Sequence, residues 1–142
     1  MAGVSTLEAM AMNCIGTDGL IVCAMDARRQ QVYNALFLCE NGTLTRRSPD
    51  RPIALEELAE EVLRYRERPI IVGDGAALCR DFFEKRGISC VLAPPHLLQQ
   101  NAVTVALAAE KMAETGNLCS PQELEPVYLR AAQADRLKAL KK

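Results

Sequence analysis

Residues 20–44 read LIVCAMDARRQQVYNALFLCENGTL, and this stretch decides the fold. It opens with a continuous apolar run with a β-branched centre, which is typical of a strand buried on both faces. A second apolar run, Val32–Leu38, is followed by Asn41-Gly42, the dipeptide best able to supply two positive φ angles in a tight hairpin. A short third strand is predicted around Leu44. Because links this short cannot carry the crossover that parallel strands need, the three strands are predicted to form an antiparallel meander.

Helical periodicity flanks the meander on both sides. Ser5-Thr6-Leu7-Glu8 has the form of a capping box and predicts a helix that extends to about Cys14. After Pro49 and Pro52, apolar residues recur at helical spacing and predict a strongly amphipathic helix. Its predicted inward residues are Leu55, Leu58, Ala59, Val62 and Leu63.

The second half of the chain alternates short apolar runs with helical segments. Ile70–Gly73 predicts a strand, residues 76–85 a helix stopped by Gly87, and Ile88–Ala93 the last strand. Residues 101–115 predict an Ala-rich helix closed by Gly116. The predicted inward face of that helix consists of Ala102, Val105, Ala106, Ala109 and Met112.

This order of elements predicts an α/β domain with a mixed sheet, in which the three-strand antiparallel meander is followed by αβαβα. The layout is that of a ribonuclease H-like or actin-like ATPase lobe. A length of 142 residues, with 49% hydrophobic and 25% charged, predicts a single domain over residues 1–142.

Charge and hydropathy narrow the classes of partner. The formal net charge is -1, so no global positive field attracts RNA or DNA, and no direct nucleic-acid binding is expected. The sequence has no run of about 18 apolar residues and no signal-peptide pattern. We therefore expect a cytoplasmic protein with no membrane partner.

The cysteines and the single histidine do not indicate a metal site or a catalytic site. The six cysteines lie mostly in apolar runs and form no CxxC, and His96 is the sole histidine, so the thiols are predicted to be structural and no metal or other cofactor is expected. No Ser or Cys lies in a nucleophile elbow, and His96 follows two prolines, so a catalytic triad is not predicted.

Two turns carry the candidate site residues. In actin-like ATPases the first hairpin grips phosphate through an Asp followed by glycine, whereas here the turn is Asp26-Ala27-Arg28-Arg29. Asp26, Arg28 and Arg29 are therefore either a solvated or salt-bridged hairpin or contacts for an anion or a partner.

The second turn is Gly73-Asp74-Gly75, which is either a nucleotide-proximal turn before a helix N-terminus or an ordinary turn. Two alternative functions remain open for these residues, one as an enzyme and one as a binding module. One is a metal-dependent nuclease that uses Asp26 and Asp74. The other is a small nucleotide-binding module that uses Gly73 and Gly75.

Four stretches together carry a family resemblance: Gly3–Leu7, Asp26–Arg29 followed by Val32-Tyr33, Val72–Gly75, and the tail motif with Glu125, Tyr128 and Arg130. In this order and spacing the chain resembles the C-terminal lobe of the TsaB family, also called YeaZ. That family is a bacterial, glycoprotease-like family of tRNA threonylcarbamoyladenosine (t6A) biosynthesis.

The resemblance implies a non-catalytic scaffold or partner subunit that acts with TsaD-like and TsaE-like subunits and carries a peptidase-like label without the activity. It also implies that the chain is the C-terminal lobe alone, with the N-terminal lobe absent. Apolar surface that this lobe would cover is then expected to be exposed and to allow a homo-oligomer through the exposed lobe face. Gln31 departs from the family, which often has Glu at this position.

Overall fold

The computed structural model describes residues 1–129. In chain order the elements are α1 (Thr6–Met12), β1 (Gly19–Asp26), β2 (Gln31–Glu40), β3 (Thr43–Arg46), β4 (Arg51–Ala54), α2 (Leu55–Val62), β5 (Ile70–Val72), α3 (Ala76–Lys85), β6 (Val91–Leu92) and α4 (Ala102–Glu114). No helix in this part of the chain is both long enough and apolar enough to span a bilayer.

One mixed sheet organises the domain, with the strand order β3-β2-β1-β5-β6. β1 pairs antiparallel with β2, in a register that joins Asp26 to Val32, and pairs parallel with β5 on its other side. Asn41 and Gly42 both have positive φ, 51° and 75°, as the tight hairpin between β2 and β3 requires. The predicted antiparallel meander and the mixed sheet are confirmed.

The sequence analysis does not predict β4, which contains Pro52. β4 pairs with the first half of β2, whereas β3 pairs with the second half. Between them the chain bulges, and the buried Ser48 hydroxyl accepts a hydrogen bond from Leu36 N at 2.8 Å. A proline is tolerated in β4 because this strand lies at the edge of the sheet.

Helices cover both faces of the sheet, because alternate residues of β1 point to opposite sides. Leu20, Val22 and Ala24 face a core closed by α2 and α3. Ile21 and Cys23 face a second core closed by α1, against which α4 packs in turn. β1 therefore belongs to both cores, as its unbroken apolar run predicted.

Some predicted faces and bounds differ from the structure. Leu63 lies just past the end of α2 and is 64% exposed rather than buried. The last strand is reduced to Val91–Leu92. In α4 the buried residues are Thr104 and Ala108, whereas three of the five predicted inward residues are exposed, namely Ala102, Val105 and Ala106.

The helix α4 was predicted, but its predicted inward face was wrong because the polar side chain that precedes the helix sets its rotation. Asn101 donates from Nδ2 to Asn13 Oδ1 at 2.7 Å, and Asn13 donates to the carbonyls of Leu97 and Gln99. This amide cluster ties the start of α4 to the end of α1 and turns Thr104 inward. The spacing of apolar residues in the sequence does not predict these hydrogen bonds.

Four of the six cysteines, Cys14, Cys23, Cys39 and Cys79, are buried, and all six are free thiols. Desolvation by burial raises the pKa of Cys14 to about 11 and that of Cys79 to about 12, and it raises the pKa of Cys23 well above its usual value. The thiolate is the reactive form, so these side chains pack as apolar groups rather than act as nucleophiles.

These raised pKa values predict a loss of stability at high pH. A buried thiol stays neutral in the folded state while the unfolded state ionises, so the stabilisation is complete below pH 9 and falls as the pH rises through about 11 to 12. Urea unfolding at pH 7.5 and pH 10.5 should show the lower midpoint at pH 10.5.

At pH 7.5, thiol labelling of the folded protein should modify Cys90 and Cys119 first, and rapid modification of Cys14 or Cys79 would contradict the burial.

Candidate functional site

The hairpin between β1 and β2 presents the predicted Asp–Arg turn at the end of the sheet. Asp26 is the last residue of β1, and its Oδ1 accepts a hydrogen bond from Arg28 N at 2.7 Å. The Arg28 guanidinium lies 3.8 Å from Asp26 Oδ2, and the Arg28 side chain is 87% exposed. A loose, exposed ion pair of this kind contributes little to stability, so the guanidinium is free to meet another group.

The backbone of this turn is strained. Arg28, Arg29 and Gln30 have φ of 66°, 55° and 59°, three consecutive non-glycine residues in the left-handed region. Each costs on the order of 1 kcal/mol relative to ordinary geometry. Surrounding hydrogen bonds hold the turn: Ala27 N donates to Gln31 O, and Leu55 N at the start of α2 donates to Gln30 O, each at 3.0 Å. The hairpin is therefore anchored to α2 with its arginines pointing outward.

The Gly73-Asp74-Gly75 turn packs directly on the end of β1. Gly75 N donates to Ala24 O at 3.0 Å, and Asp74 Oδ1 accepts from Asp26 N at 3.0 Å. A Cβ on Gly73, whose φ is 115°, would overlap the Ala24 carbonyl group, and a Cβ on Gly75 would crowd the backbone of residues 24–26. The close backbone approach that glycine permits is thus used by the chain's own β1, and nucleotide contact at this turn stays a prediction.

Asp26 and Asp74 are brought together, as the nuclease alternative requires, but both carboxylates already accept backbone hydrogen bonds. In residues 1–129 no group of three or more His, Cys, Asp or Glu side chains is arranged to hold a metal ion. His96 lies exposed in the loop before α4.

A groove of about 840 Å³ lies beside the hairpin, a volume within the range of ligand pockets. Its walls come from parts of the chain that are far apart in sequence: the N-terminal residues 2–7, the strand residues Met25 and Tyr33, Asp50, and the tail residues 124–129. Three of the four stretches that carry the family resemblance therefore contribute to one groove. The tail residues Glu125 and Tyr128 line it, and Arg130 lies outside the described residues.

An ion network that the sequence did not predict fixes the N-terminal wall of this groove. Ser5 caps α1 through a hydrogen bond from Glu8 N and also donates to Asp50 at 2.5 Å. Arg46 donates to Asp50 and Glu8 at 2.6 and 2.8 Å and stacks over the Phe37 ring. Burial opposes the charge of Arg46, but the hydrogen bonds to Glu8 and Asp50 outweigh it and raise the pKa of Arg46. The capping-box pattern identified Ser5 and Glu8 in the sequence, but it did not predict that the Glu8 carboxylate pairs with Arg46.

Comparisons with solved structures first identify the fold class. No family model matches the sequence. Two solved structures from Pseudomonas aeruginosa share the fold: a protein described as similar to peptidase YeaZ (TM-score 0.70, 20% identity) and YeaZ itself (TM-score 0.69, 18% identity). Each match covers 89% of this chain and 57% of the solved chain. The sheet order and these matches define a ribonuclease H-like, actin-type lobe, which confirms the predicted fold class.

Sequence similarity then identifies a named relative. The tRNA threonylcarbamoyladenosine biosynthesis protein TsaB of Bacillus subtilis (strain 168) is 36% identical over 85 residues. The match covers 59% of this chain and 37% of that protein, so the chain spans little more than a third of the curated relative's length. Over these 85 residues, the chain is similar to a TsaB protein.

The glycine contacts predict that Gly73→Ala is severely destabilising. The added Cβ meets the rigid backbone of Ala24 and the positive φ is disfavoured, so the free energy of unfolding should fall by at least about 2 kcal/mol. Gly116→Ala is the matched control, because Gly116 also has positive φ, 72°, but nothing lies within 4 Å of its added Cβ. The control should lose only about 1 kcal/mol. Equal losses in urea denaturation would contradict the close approach to β1.

The left-handed hairpin predicts the opposite sign for Arg29→Gly. Glycine adopts positive φ without the steric cost, so the free energy of unfolding should rise by about 0.5–1 kcal/mol. Arg66 is also exposed, but its φ is not positive, so Arg66→Gly should lower stability through the added freedom of the unfolded chain. If Arg29→Gly lowers the denaturation midpoint, the turn is not strained as described.

Proposed function

We propose that this chain acts in t6A biosynthesis as the C-terminal lobe of a TsaB-like protein. The observation that carries the proposal is the 36% identity, over 85 residues, to a protein named for that pathway. The geometry supports it, since three stretches shared with the family line a single groove beside the hairpin.

The proposed role is non-catalytic. Asp26 and Asp74 are the two carboxylates best placed for chemistry, and both accept backbone hydrogen bonds that shape the turn. Four thiols are buried, three of them with pKa values raised by desolvation, which is the wrong environment for a nucleophile. The peptidase-like description of the structural relative therefore does not extend to a peptidase mechanism on these residues.

The proposed partners are TsaD-like and TsaE-like subunits, with catalysis residing in the TsaD-like subunit. The contact we assign to this chain is the hairpin tip, where Arg28 and Arg29 are exposed on a rigid, anchored turn. A guanidinium held on a rigid turn loses little freedom when it pairs with a carboxylate or phosphate. This chain matches only part of the length of each relative. We therefore also propose that a separate N-terminal lobe completes the assembly.

Complementation tests the role in the pathway. Bacillus subtilis cells depleted of their own TsaB would receive this chain either alone or joined behind the N-terminal part of the B. subtilis protein. We expect the joined form to restore t6A, measured by mass spectrometry of digested tRNA, because it supplies both lobes. Failure of the joined form, when it is folded and expressed, would contradict a role in t6A biosynthesis.

The same assay separates a scaffold from an enzyme. The joined form with Asp26→Asn and Asp74→Asn keeps the oxygen acceptors of both hydrogen bonds but loses both carboxylate charges. A scaffold should retain t6A within about twofold, whereas a metal-dependent or acid–base enzyme should lose more than about a hundredfold. A large loss in the folded double variant would overturn the non-catalytic role.

A further inference from the structure

Charge is unevenly distributed along this chain. Residues 1–129 contain 17 Asp and Glu side chains against 12 Lys and Arg. Residues 130–142, here called the basic segment, contain one acidic side chain, Asp135, against five basic ones. The net charge of -1 therefore combines -5 on residues 1–129 with +4 on the basic segment. Such a block of like charge at the end of an oppositely charged chain is typical of an interaction segment.

The basic segment is also partly apolar. It reads RAAQADRLKALKK, with four alanines and the two leucines Leu137 and Leu140 among its basic residues. A segment that only contacts phosphate groups has no use for large apolar side chains, because those contacts come from Lys and Arg. The composition therefore fits a binding surface that is both apolar and acidic.

The groove beside the hairpin has both properties. Apolar side chains line most of it, and Val127 and Tyr128 in its tail wall are 82% and 85% exposed. Among the described residues, two acidic side chains and no Lys or Arg line the groove. One of the acids, Asp50, is engaged by Arg46, whereas Glu125 has no ion pair in the described part of the chain. The groove therefore offers a free carboxylate beside uncovered apolar surface.

The two walls of this groove are fixed to each other. Cys119 N donates to Met1 O at 2.9 Å, which joins the segment leading into the tail to the start of the N-terminal wall. A Cβ on Gly3 would lie 2.9 Å from Leu124 Cδ1, so the walls are in direct contact at this point. The groove is therefore preformed, and filling it requires little rearrangement of its walls.

We propose that this groove is the docking site of the basic segment of the same chain. Leu137 and Leu140 would cover its exposed apolar side chains, and the neighbouring basic side chains would lie near Glu125. The segment begins where the groove ends, since Leu129 is the last lining residue described. Leu137 follows Leu129 by eight residues, a reach of up to about 27 Å, so the chain can turn back over the groove.

Tethering and charge favour this occupant over a separate molecule. A short tether holds the basic segment near the groove at an effective concentration on the order of millimolar, which a separate molecule must exceed to compete. A polyanion such as RNA that binds the basic segment also meets the -5 charge of residues 1–129, which repels it. Docking in the groove instead brings opposite charges together.

Intramolecular cross-linking tests the docking. In a background with Cys90→Ser and Cys119→Ser, Thr6→Cys places a thiol on an exposed lining residue, and Ala139→Cys places one between the two leucines. Oxidised glutathione converts the two thiols to a disulfide and is itself reduced to two molecules of glutathione. We expect this disulfide, measured by mass spectrometry of tryptic peptides, to form at least about tenfold faster than in a matched control.

The matched control carries Thr17→Cys in place of Thr6→Cys, because Thr17 is also exposed but does not line the groove. A second pair with Ala134→Cys in place of Ala139→Cys covers the case in which residue 139 points away from the groove. The rate should not change when the protein is diluted about a hundredfold, since the reaction occurs within one chain. A rate that falls on dilution assigns the contact to a second copy and overturns the proposal.

The leucines give a second, independent test. In the Thr6→Cys and Ala139→Cys background, replacing both Leu137 and Leu140 with Asp should remove the rate advantage. Replacing Ala131 and Gln133 with Asp adds the same charge without loss of the leucines and should preserve most of the advantage. Equal losses in the two variants would contradict apolar docking. If neither cysteine pair reacts faster than its control and the chain binds a labelled single-stranded RNA, the basic segment is an RNA-binding arm and the proposal is wrong.

Discussion

The close approach of the Gly73–Gly75 turn to the end of β1 is the constraint on which the rest of the lobe depends. Two hydrogen bonds, from Gly75 N to Ala24 O and from Asp26 N to Asp74, join the central strand to the start of α3. They continue the parallel pairing of β1 with β5 beyond the sheet. Because β1 contributes to both cores, this junction also fixes the helices on either face.

The same junction determines what the hairpin can do. The carboxylate of Asp74 is used to hold the amide of Asp26, and that of Asp26 is used to hold the amide of Arg28. The exposed side chains of Arg28 and Arg29 lie on the same rigid, left-handed turn. The proposed contact with an anionic or acidic partner group is argued from this positive charge.

The groove beside the hairpin shows how a lobe joins distant parts of one chain into a surface. Its N-terminal wall is fixed by Ser5 and by the Glu8–Arg46–Asp50 network, and its other wall is the tail. In the tail, Val127 and Tyr128 are more than four-fifths exposed. Large exposed apolar and aromatic side chains at a groove rim are typical of interaction surfaces.

Local sequence patterns determined much of the fold, because strands and amphipathic helices follow from which residues recur at periods of 2 and 3.6. The apolar run of β1, the Asn41-Gly42 turn and the stripe of α2 each specified an element and its neighbours. The family stretches likewise carried the predicted site residues, and three of the four stretches line one groove. Only the tertiary structure decided that Pro52 lies in an edge strand, that Asn101 rotates α4 to bury Thr104, and that Arg46 pairs with Glu8 and Asp50. Those outcomes depend on hydrogen bonds such as Arg46 to Glu8 and Asn101 to Asn13, between residues 38 and 88 positions apart, or on strand pairing across a bulge, and no local periodicity encodes such contacts.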